Sequence, residues 1–502
     1  MIISKSNTRE VIKLRSRVNF FSFLFLLFVF TKINAQSKAQ TIDSLVSTYH
    51  RFNLFNGEVL VAQKGKIVFE KGYGFANMEW KMSNTPTTKF RIGSISKQFT
   101  AMLIMQLKQQ GKINLHSTIS DYLPWYRKDV GKSVTIHMML SHTSGLPNYT
   151  DKPNWEKELS GGNVDHKEFA LKYCSDTLEF VPGTKKDYSN TNYFLLGLII
   201  EAITNNSFEE VLQKNILDVV GMKNTGIDYP DKIILNRAAG YDFNFDGYAN
   251  APYINMASST FGCGAMYSTV EDLLLWDKAL RTDKLLSEEN KKIMFTPVLD
   301  NYAYGLIVLH QKNFIGTGKD ITTMAHAGGI NGFSSMLGRT LEDENFIILL
   351  DNSRAGLRGG LLDAIINDII AVIYDKTVSM PKPLPAYALY DSLQKSNIET
   401  AIAYYRKLKK TEQPIYNFNT IENDLNNLGD FLASKKRINE SIAIYELNVE
   451  ENPSSSDAYS AYATALQKDG QKAEAIKNFK KSLELNADNK YAADQIKKLE
   501  SQ

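Results

Sequence analysis

Short apolar runs separated by turn residues mark strands near both ends of the first 380 residues. Val59–Ala62 and Ile67–Phe69 flank a turn that contains Gly65, and this pattern predicts a β-hairpin. Further runs predict three strands and then a helix: Gly305–Leu309, Gly332–Leu337, Phe346–Leu350 and, from about Gly359 to Tyr374, the helix. Helix and loop signals dominate between the two groups. The pattern predicts an α/β (α+β) domain in which both chain ends build one antiparallel sheet, flanked by helices, around a helical subdomain.

A different pattern begins after a proline-rich segment. The prolines at 381, 383 and 385 cannot continue a helix, so residues 381–386 are predicted to form a stiff linker between domains. Beyond it, apolar positions recur after 34 residues, as Leu425, Leu428–Gly429, Leu432, Ile442 and Tyr445, then Tyr459, Tyr462–Ala463, Leu466, Ile476 and Phe479. The period resembles that of tetratricopeptide repeats, which implies all-α helical repeats over residues 387–502.

The repeats leave two interpretations open. A helix that includes Thr400 and Tyr405 looks like half of a degenerate third unit, but its offset is 40 residues rather than 34. Two clear repeats are fewer than the roughly three that an independent solenoid needs. The region is therefore expected either to bind a protein partner in a groove or to pack against the preceding domain.

Residues 1–35 have the pattern of an export signal. A basic start precedes the apolar run Phe20–Phe30 and then Ile33-Asn34-Ala35, which predicts cleavage after Ala35 and a periplasmic or secreted mature protein. About 11 apolar residues rise only about 16 Å as a helix, short of the roughly 30 Å hydrocarbon core. No stable membrane span is expected in the mature chain, and an uncleaved N-terminal anchor is the alternative.

Composition excludes several classes of protein. With 502 residues, 43% hydrophobic and 23% charged, the chain is expected to be globular and to contain more than one domain. The formal charge of +3 becomes −2 without residues 1–35, so no nucleic-acid partner is expected. Cys174 and Cys263 are expected to be separate buried thiols.

Neither a metal nor an organic cofactor is expected from the sequence. His137 and His142 have the wrong spacing for paired zinc ligands on a helix. Asp242–Gly247 begins like a calcium loop, but Tyr253 stands where that loop requires a glutamate, so a turn is predicted. The stretch His142–Gly145 is interpreted as a helix stop and turn.

The first candidate for chemistry is a serine near the start of a predicted helix. Ser94 and Lys97 lie three residues apart, ahead of an apolar helical stretch that Gly111 ends. This spacing places the lysine amine within hydrogen-bond reach of the serine hydroxyl, and a buried lysine can take the serine proton. Ser392 and Lys395 have the same spacing inside the repeats, where a solvated helix face is expected.

Two further motifs follow in the same domain. Tyr188-Ser189-Asn190 precedes the amphipathic run Tyr193–Ile200, which places a tyrosine and an asparagine at a helix entrance. His326-Ala327-Gly328-Gly329 precedes a predicted strand, and small residues there let a strand edge approach a substrate backbone and present an N–H to it. The triplets at Tyr248 and Tyr253 match Tyr-x-Asn too, and they are interpreted as structural.

Taken in order, the three motifs resemble the serine β-lactamase-like and penicillin-binding protein family. Tyr-x-Asn as the second motif is typical of its class C β-lactamase-like enzymes, with their DD-peptidase, D-aminopeptidase and esterase relatives. Leu140–Pro147 and Met266–Leu273 also look like stretches of that family. The resemblance covers about residues 42–374 and implies a serine hydrolase domain over residues 36–380.

The resemblance also implies roles for individual residues. Ser94 would be the acylated nucleophile, with Lys97 and Tyr188 as its proton-transfer partners, either of which could be the base. Asn190 would bond the acyl-side amide of the substrate. The backbone N–H groups of Ser94 and Gly329 would form the oxyanion hole.

The third motif departs from the β-lactamase pattern. His326 stands where β-lactamases of this family carry lysine, while Gly328 and Gly329 are retained with it as substrate-binding positions. An unperturbed histidine is charged only about a quarter of the time at pH 7, so a fixed cation for a substrate carboxylate is missing.

The expected function is that of an exported serine hydrolase acting through an acyl-enzyme on an ester or amide, as an esterase, DD-peptidase or D-aminopeptidase does. A non-catalytic binding protein that recruits a partner through its repeats, and a true β-lactamase, are the alternatives.

Overall fold

The computed structural model describes residues 37–152, 155, 164–354 and 361–501. The predicted export signal and the start of the helix predicted from about Gly359 lie outside these residues. Fourteen strands are assigned within the described ranges: β1 Gly57–Gln63, β2 Lys66–Tyr73, β3 Phe75–Asn77, β4 Met82–Ser83, β5 Phe90–Arg91, β6 Gly226–Ile227, β7 Tyr241–Asn244, β8 Gly247–Asn250, β9 Met266–Ser268, β10 Ile307–Gln311, β11 Ile321–Ile330, β12 Phe333–Thr340, β13 Asn345–Asp351 and β14 Ser353–Arg354.

The main sheet joins the two ends of the first domain. Its six strands are all antiparallel, in the order β10-β11-β12-β13-β1-β2. Strand β1 pairs with β2 in the predicted hairpin and with β13 on its other side, where Val59 lies opposite Leu349. Both β1 and β13 are buried almost throughout, because helices cover the two faces of the sheet. The predicted sheet is therefore confirmed.

The two faces of the sheet pack against different layers. Helices 37–51 and Leu361–Ile373 cover one face, where Val59 and Ile369 belong to the same core. Leu60 and Ile348 point the other way, into the larger core of the helical subdomain. The strand predicted from Gly305 begins instead at Ile307, because Gly305 has a φ of +77°.

Two long buried helices, Ser96–Gln109 and Asn190–Thr204, lie at the centre of the helical subdomain. Most residues of both helices are buried, which places them in the core of the subdomain. Among the described residues, the other helices assigned in this domain are Ile119–Tyr122, Lys128–Gly131, Ile136–Leu140, His166–Tyr173, Phe208–Leu212, Asp218–Val220, Met256–Ser259, Phe261–Gly264, Val270–Leu280 and Glu288–Phe295, with 3₁₀ turns at Gly93–Ile95, Tyr149–Asp151 and Phe314–Gly316 and a π turn at Gln213–Leu217.

The C-terminal region consists of helix pairs, as the 34-residue period predicts. The pairs are Pro385–Leu393 with Ile398–Thr411, Ile421–Ser434 with Ile438–Glu451, and Ser456–Lys468 with Lys472–Leu485, followed by Lys490–Glu500. The helix around Thr400 is thus one half of a third helix pair, and the sequence analysis missed only its other half. That half begins at Pro385, inside the segment assigned to the linker, because proline is well tolerated in the first helical turn.

The β7–β8 hairpin connects the two regions. Phe245, at its tip, is 9% exposed and belongs to the core of the first two helix pairs, where its ring stacks on Tyr387 with 4.7 Å between centroids. Asp246 accepts a hydrogen bond of 2.6 Å from the Tyr390 hydroxyl and pairs with Lys435 at 2.6 Å. The predicted turn at Asp242–Gly247 is confirmed as the tip of this hairpin.

No helix in the described ranges is long and apolar enough to cross a membrane. Cys174 and Cys263 are buried free thiols, which confirms the expectation from the sequence.

Candidate active site

Ser94 lies on the 3₁₀ turn Gly93–Ile95, which runs directly into the helix Ser96–Gln109. Gly93 has a φ of +50°, and a Cβ there would come within 2.9 Å of the backbone nitrogen of Gly329. Glycine at this position therefore lets strand β11 approach the turn that carries the serine.

Lys97 is fully buried one turn after Ser94. Its Nζ donates to Ser94 Oγ at 2.9 Å, to Asn190 Oδ1 at 2.8 Å and to the carbonyl oxygen of Cys263 at 2.8 Å. Three acceptors match the three N–H bonds of an ammonium group. All three N–H bonds of an ammonium group would therefore have an acceptor in this buried site.

Tyr188 reaches the same serine from the loop before the helix Asn190–Thr204. Its hydroxyl donates to Ser94 Oγ at 2.8 Å, and Lys97 Nζ lies 4.9 Å from the centroid of its ring. Both of the proton-transfer residues proposed from the sequence contact the nucleophile directly.

Asn190 is held at both ends of its amide. Its Oδ1 accepts from Lys97, while Nδ2 donates to Asn148 Oδ1 and to Thr150 Oγ1, each at 3.2 Å. The side chain is therefore fixed at the wall of the cavity beside Ser94.

His326 lies on strand β11 and is only 6% exposed. Its Nδ1–H donates to the carbonyl oxygen of Ala327 at 2.6 Å, and its Nε2 accepts from the Tyr302 hydroxyl at 3.1 Å. Burial and then the nearby Lys97 charge lower the pKa of His326 to about 4. The imidazole is therefore neutral at pH 7, whereas an unperturbed histidine would be charged about a quarter of the time.

The two glycines of the third motif face different surroundings. A Cβ on Gly328 would lie 2.1 Å from the carbonyl oxygen of Ile92 and 2.4 Å from Ser335 Oγ, so this glycine packs tightly behind the Ser94 turn. A Cβ on Gly329 would meet no atom within 4 Å, and Gly329 lines the cavity. Asn190 and Gly329 thus border the cavity, whereas His326 and Gly328 are not among its lining residues.

The cavity beside Ser94 has a volume of about 200 Å³. None of the described residues that line it carries a charged side chain; they are Gly93, Ser94, Tyr149, Thr150, Trp155, Asn190, Thr260, Cys263, Gly264, Gly329, Ile330 and Asn331. No local sequence signal pointed to Tyr149, Trp155 or Thr260, because distant parts of the chain bring them beside Ser94 only in the fold.

Comparison with known proteins agrees with this geometry. The family described as beta-lactamase matches residues 39–369, which is more than half of the chain. The chain belongs to the beta-lactamase family. Within this family of serine hydrolases, the beta-lactamase-like domain of the chain carries an additional region, of which residues 456–489 match the tetratricopeptide repeat.

Two curated relatives illustrate the beta-lactamase-family similarity. Penicillin-binding protein 4* of Bacillus subtilis is 28% identical over 337 residues, which covers 63% of this chain and 72% of that protein. Protein flp of Staphylococcus aureus strain MW2 is 26% identical over 62% of this chain and 63% of that protein. The chain therefore spans less than two thirds of the staphylococcal relative.

Solved structures show the same beta-lactamase-like fold. The penicillin-binding protein from Bacillus halodurans is 26% identical, with a TM-score of 0.56 over 65% of this chain and 99% of that one. EstCE1, a hydrolase with promiscuous acyltransferase activity, is 20% identical, with a TM-score of 0.59 over 67% and 99%. D-amino acid amidase from Ochrobactrum anthropi SV3 is 23% identical, with a TM-score of 0.57 over 68% and 99%. The last two show the fold alone.

Proposed function

We propose that this chain is an exported serine esterase of the class C β-lactamase-like type, which hydrolyses uncharged esters through an acyl-enzyme. One observation carries the proposal: Ser94 Oγ lies within 2.9 Å of Lys97 Nζ and 2.8 Å of the Tyr188 hydroxyl. A serine is a weak nucleophile unless a neighbouring base takes its proton, and here two candidate groups contact it.

In the proposed reaction, Lys97 Nζ holds Ser94 Oγ in place, because it is itself fixed by hydrogen bonds to Asn190 and to the carbonyl oxygen of Cys263. Tyr188 acts as the base in its deprotonated form, without the hydroxyl proton that it otherwise donates to Ser94 Oγ. The phenolate takes the Ser94 proton as Oγ attacks the substrate carbonyl, and it returns that proton to the departing alcohol. The backbone N–H groups of Ser94, at a helix start, and of Gly329, on the strand that lines the cavity, would stabilise the oxyanion. Water then takes the place of the alcohol, and the same proton transfers run in the opposite order to release the acid and restore Ser94.

The proposed preference for uncharged substrates rests on the lining of the cavity. A substrate carboxylate gains affinity from a nearby cation, and a free ammonium group gains it from a carboxylate. The described lining offers neither, and His326 is neutral. These facts count against a β-lactam, a D-alanyl peptide or a D-amino-acid amide as the preferred substrate.

Catalytic activity and export, the two other parts of the proposal, are each supported by a separate observation. A binding protein without activity has no need for the Ser94, Lys97 and Tyr188 contacts, and all of them are present. Export is supported by the basic and apolar pattern of residues 1–35.

Intact-protein mass spectrometry tests the proposal. Purified protein is exposed to a fluorophosphonate, or separately to benzylpenicillin, and turnover of p-nitrophenyl butyrate is compared with that of nitrocefin and D-alanine p-nitroanilide. We expect one phosphonyl adduct that Ser94→Ala abolishes, with the butyrate ester as the preferred substrate. No adduct on the folded protein would refute the acyl-enzyme mechanism, and a preference for nitrocefin or the anilide would refute the substrate class.

A further inference from the structure

His142 forms hydrogen bonds to the backbone on both sides of the proposed catalytic tyrosine, Tyr188. Its carbonyl oxygen accepts from the backbone N–H of Asp187 at 2.8 Å, and its Nδ1 accepts from the backbone N–H of Ser189 at 3.1 Å. The residues on both sides of Tyr188 are therefore held by one histidine, which the sequence alone identified only as a helix stop.

The imidazole ring of His142 also packs on the ring of Tyr188. Its centroid lies 4.3 Å from that of Tyr188, with 33° between the ring planes. Because Nδ1 accepts from Ser189 and from Asn192 Nδ2, both at 3.1 Å, the proton of the neutral ring lies on Nε2. That nitrogen is buried, and no described residue hydrogen bonds to it.

This arrangement of His142 destabilises the folded state in two ways. A buried donor without an acceptor is unfavourable, because its hydrogen bond to water is lost and not replaced. The backbone of His142 has a φ of +56°, a left-handed conformation that non-glycine residues seldom adopt. Unfavourable features of this kind persist where the surroundings impose them, often at active sites.

We propose that His142 is a positioning residue, which holds the Tyr188 hydroxyl against Ser94 by fixing the adjacent backbone and one face of the tyrosine ring. The inference rests on the proposed acyl-enzyme function and adds to it the element that orients the base. A phenylalanine would keep the ring contact but lose the acceptor for Ser189, whereas a glutamine could keep an acceptor and would lose the ring.

The role requires an uncharged imidazole, since protonated Nδ1 could no longer accept. The titratable and charged groups around the ring are Lys97, Tyr188, Tyr193, Tyr302, Lys186 and His326. Burial, followed by repulsion from Lys97, lowers the pKa of His142 well below its ordinary value. The ring therefore stays neutral over the pH range in which an esterase is assayed.

The test compares His142→Phe and His142→Gln with His137→Phe as a matched control. His137 lies five residues earlier, and its Nδ1 contacts the Tyr304 hydroxyl at 2.6 Å rather than the Ser94 cluster. The kcat for p-nitrophenyl butyrate is normalised to the number of Ser94 sites titrated by a fluorophosphonate. We expect it to fall about 100-fold in both His142 variants, because small misplacements of a reacting group carry losses of this size. KM should stay within about threefold, and the control should match the wild type.

Two other outcomes are informative. If the His142 variants melt at lower temperature and label fewer sites, but keep the wild-type kcat per site, the histidine is only structural and the proposal is overturned. If the wild type does not hydrolyse the ester at all, the proposed function fails while this inference can still be tested. The rate of Ser94 phosphonylation should then be at least about tenfold slower in both variants than in the wild type, and equal rates would overturn it.

Discussion

Ser94 occupies a short turn at the start of a helix, and its side chain contributes little to packing. Ser94→Ala should therefore lower kcat by about 10⁴ to 10⁶ while leaving the melting temperature close to that of the wild type. Ester turnover and thermal unfolding of the same preparation measure the two effects. Ser392→Ala is the matched control, because Ser392 and Lys395 repeat the spacing at the end of the helix Pro385–Leu393, outside the hydrolase domain. Turnover retained by Ser94→Ala would contradict the assignment.

His326 makes the stability of the protein depend on pH. Its pKa is about 4 in the fold and about 6.5 when unperturbed, so between these values the unfolded chain binds a proton that the folded protein does not. Stability should fall as the pH drops from 6.5 towards 4, by up to about 3 kcal/mol from this residue.

His326→Gln removes that contribution and keeps a side chain that can both donate and accept. Urea unfolding at pH 7 and pH 4.5 should show a smaller loss of unfolding free energy in the variant than in the wild type. The remaining acid sensitivity should include His142, whose pKa is lowered in the same direction. Equal losses in the two proteins would show that His326 is not buried as a neutral ring.

Individual residues of the site differ in how far the sequence predicts them. The contact between Ser94 and Lys97 follows from helical spacing alone, because the two share one face of a turn. Tyr188 is 94 positions from Ser94, so only the family resemblance pointed to it. The neutrality of His326 depends on burial and on the nearby Lys97 charge, neither of which a local sequence pattern shows.

At the scale of elements, the β7–β8 hairpin belongs to one domain and completes the core of another. Phe245→Ala should weaken this attachment by up to about 3–5 kcal/mol, the range for truncating a buried phenylalanine. Limited proteolysis between residues 375 and 384 should become faster, since the repeats would detach more often. Tyr253→Ala is the control, because Tyr253 is 51% exposed in the chain that follows the hairpin. Equal cleavage rates in the two variants would show that the hairpin does not anchor the repeats.

The helix pairs show where a repeat pattern is informative and where it fails. The 34-residue period correctly predicted the pairs that begin at Ile421 and Ser456. The sequence analysis missed the helix Pro385–Leu393 because it interpreted the prolines as a linker, although proline is well tolerated in the first turn of a helix. The insertion of Phe245 into the core of the helix pairs could not be predicted either, because the sequence of a hairpin does not show which distant residues it contacts.

For the whole molecule, the question is whether the hydrolase depends on its repeats. All residues proposed for catalysis precede Met380, so a protein truncated after Met380 should keep its fold and its ester turnover per titrated site. The truncated protein should also self-associate more readily, because removal of the helix pairs exposes the Phe245 side chain. Phe245→Ser in the truncated protein should reverse this self-association. Turnover and gel filtration measure the two effects. Loss of Ser94 labelling in the truncated protein would show that the repeats are part of the hydrolase fold.

The pairing of β1 with β13 also sets the timing of folding. The backbone of Asn56 and the carboxylate of Asp351 are hydrogen bonded across 295 positions of the chain. At about 5–20 residues per second, the ribosome delivers β13 roughly 15 to 60 seconds after β1. During that interval the β1–β2 hairpin has an unpaired edge that can pair with other chains. The hydrolase core can close only late in synthesis, so the nascent chain needs protection from aggregation for most of the time that it takes to make.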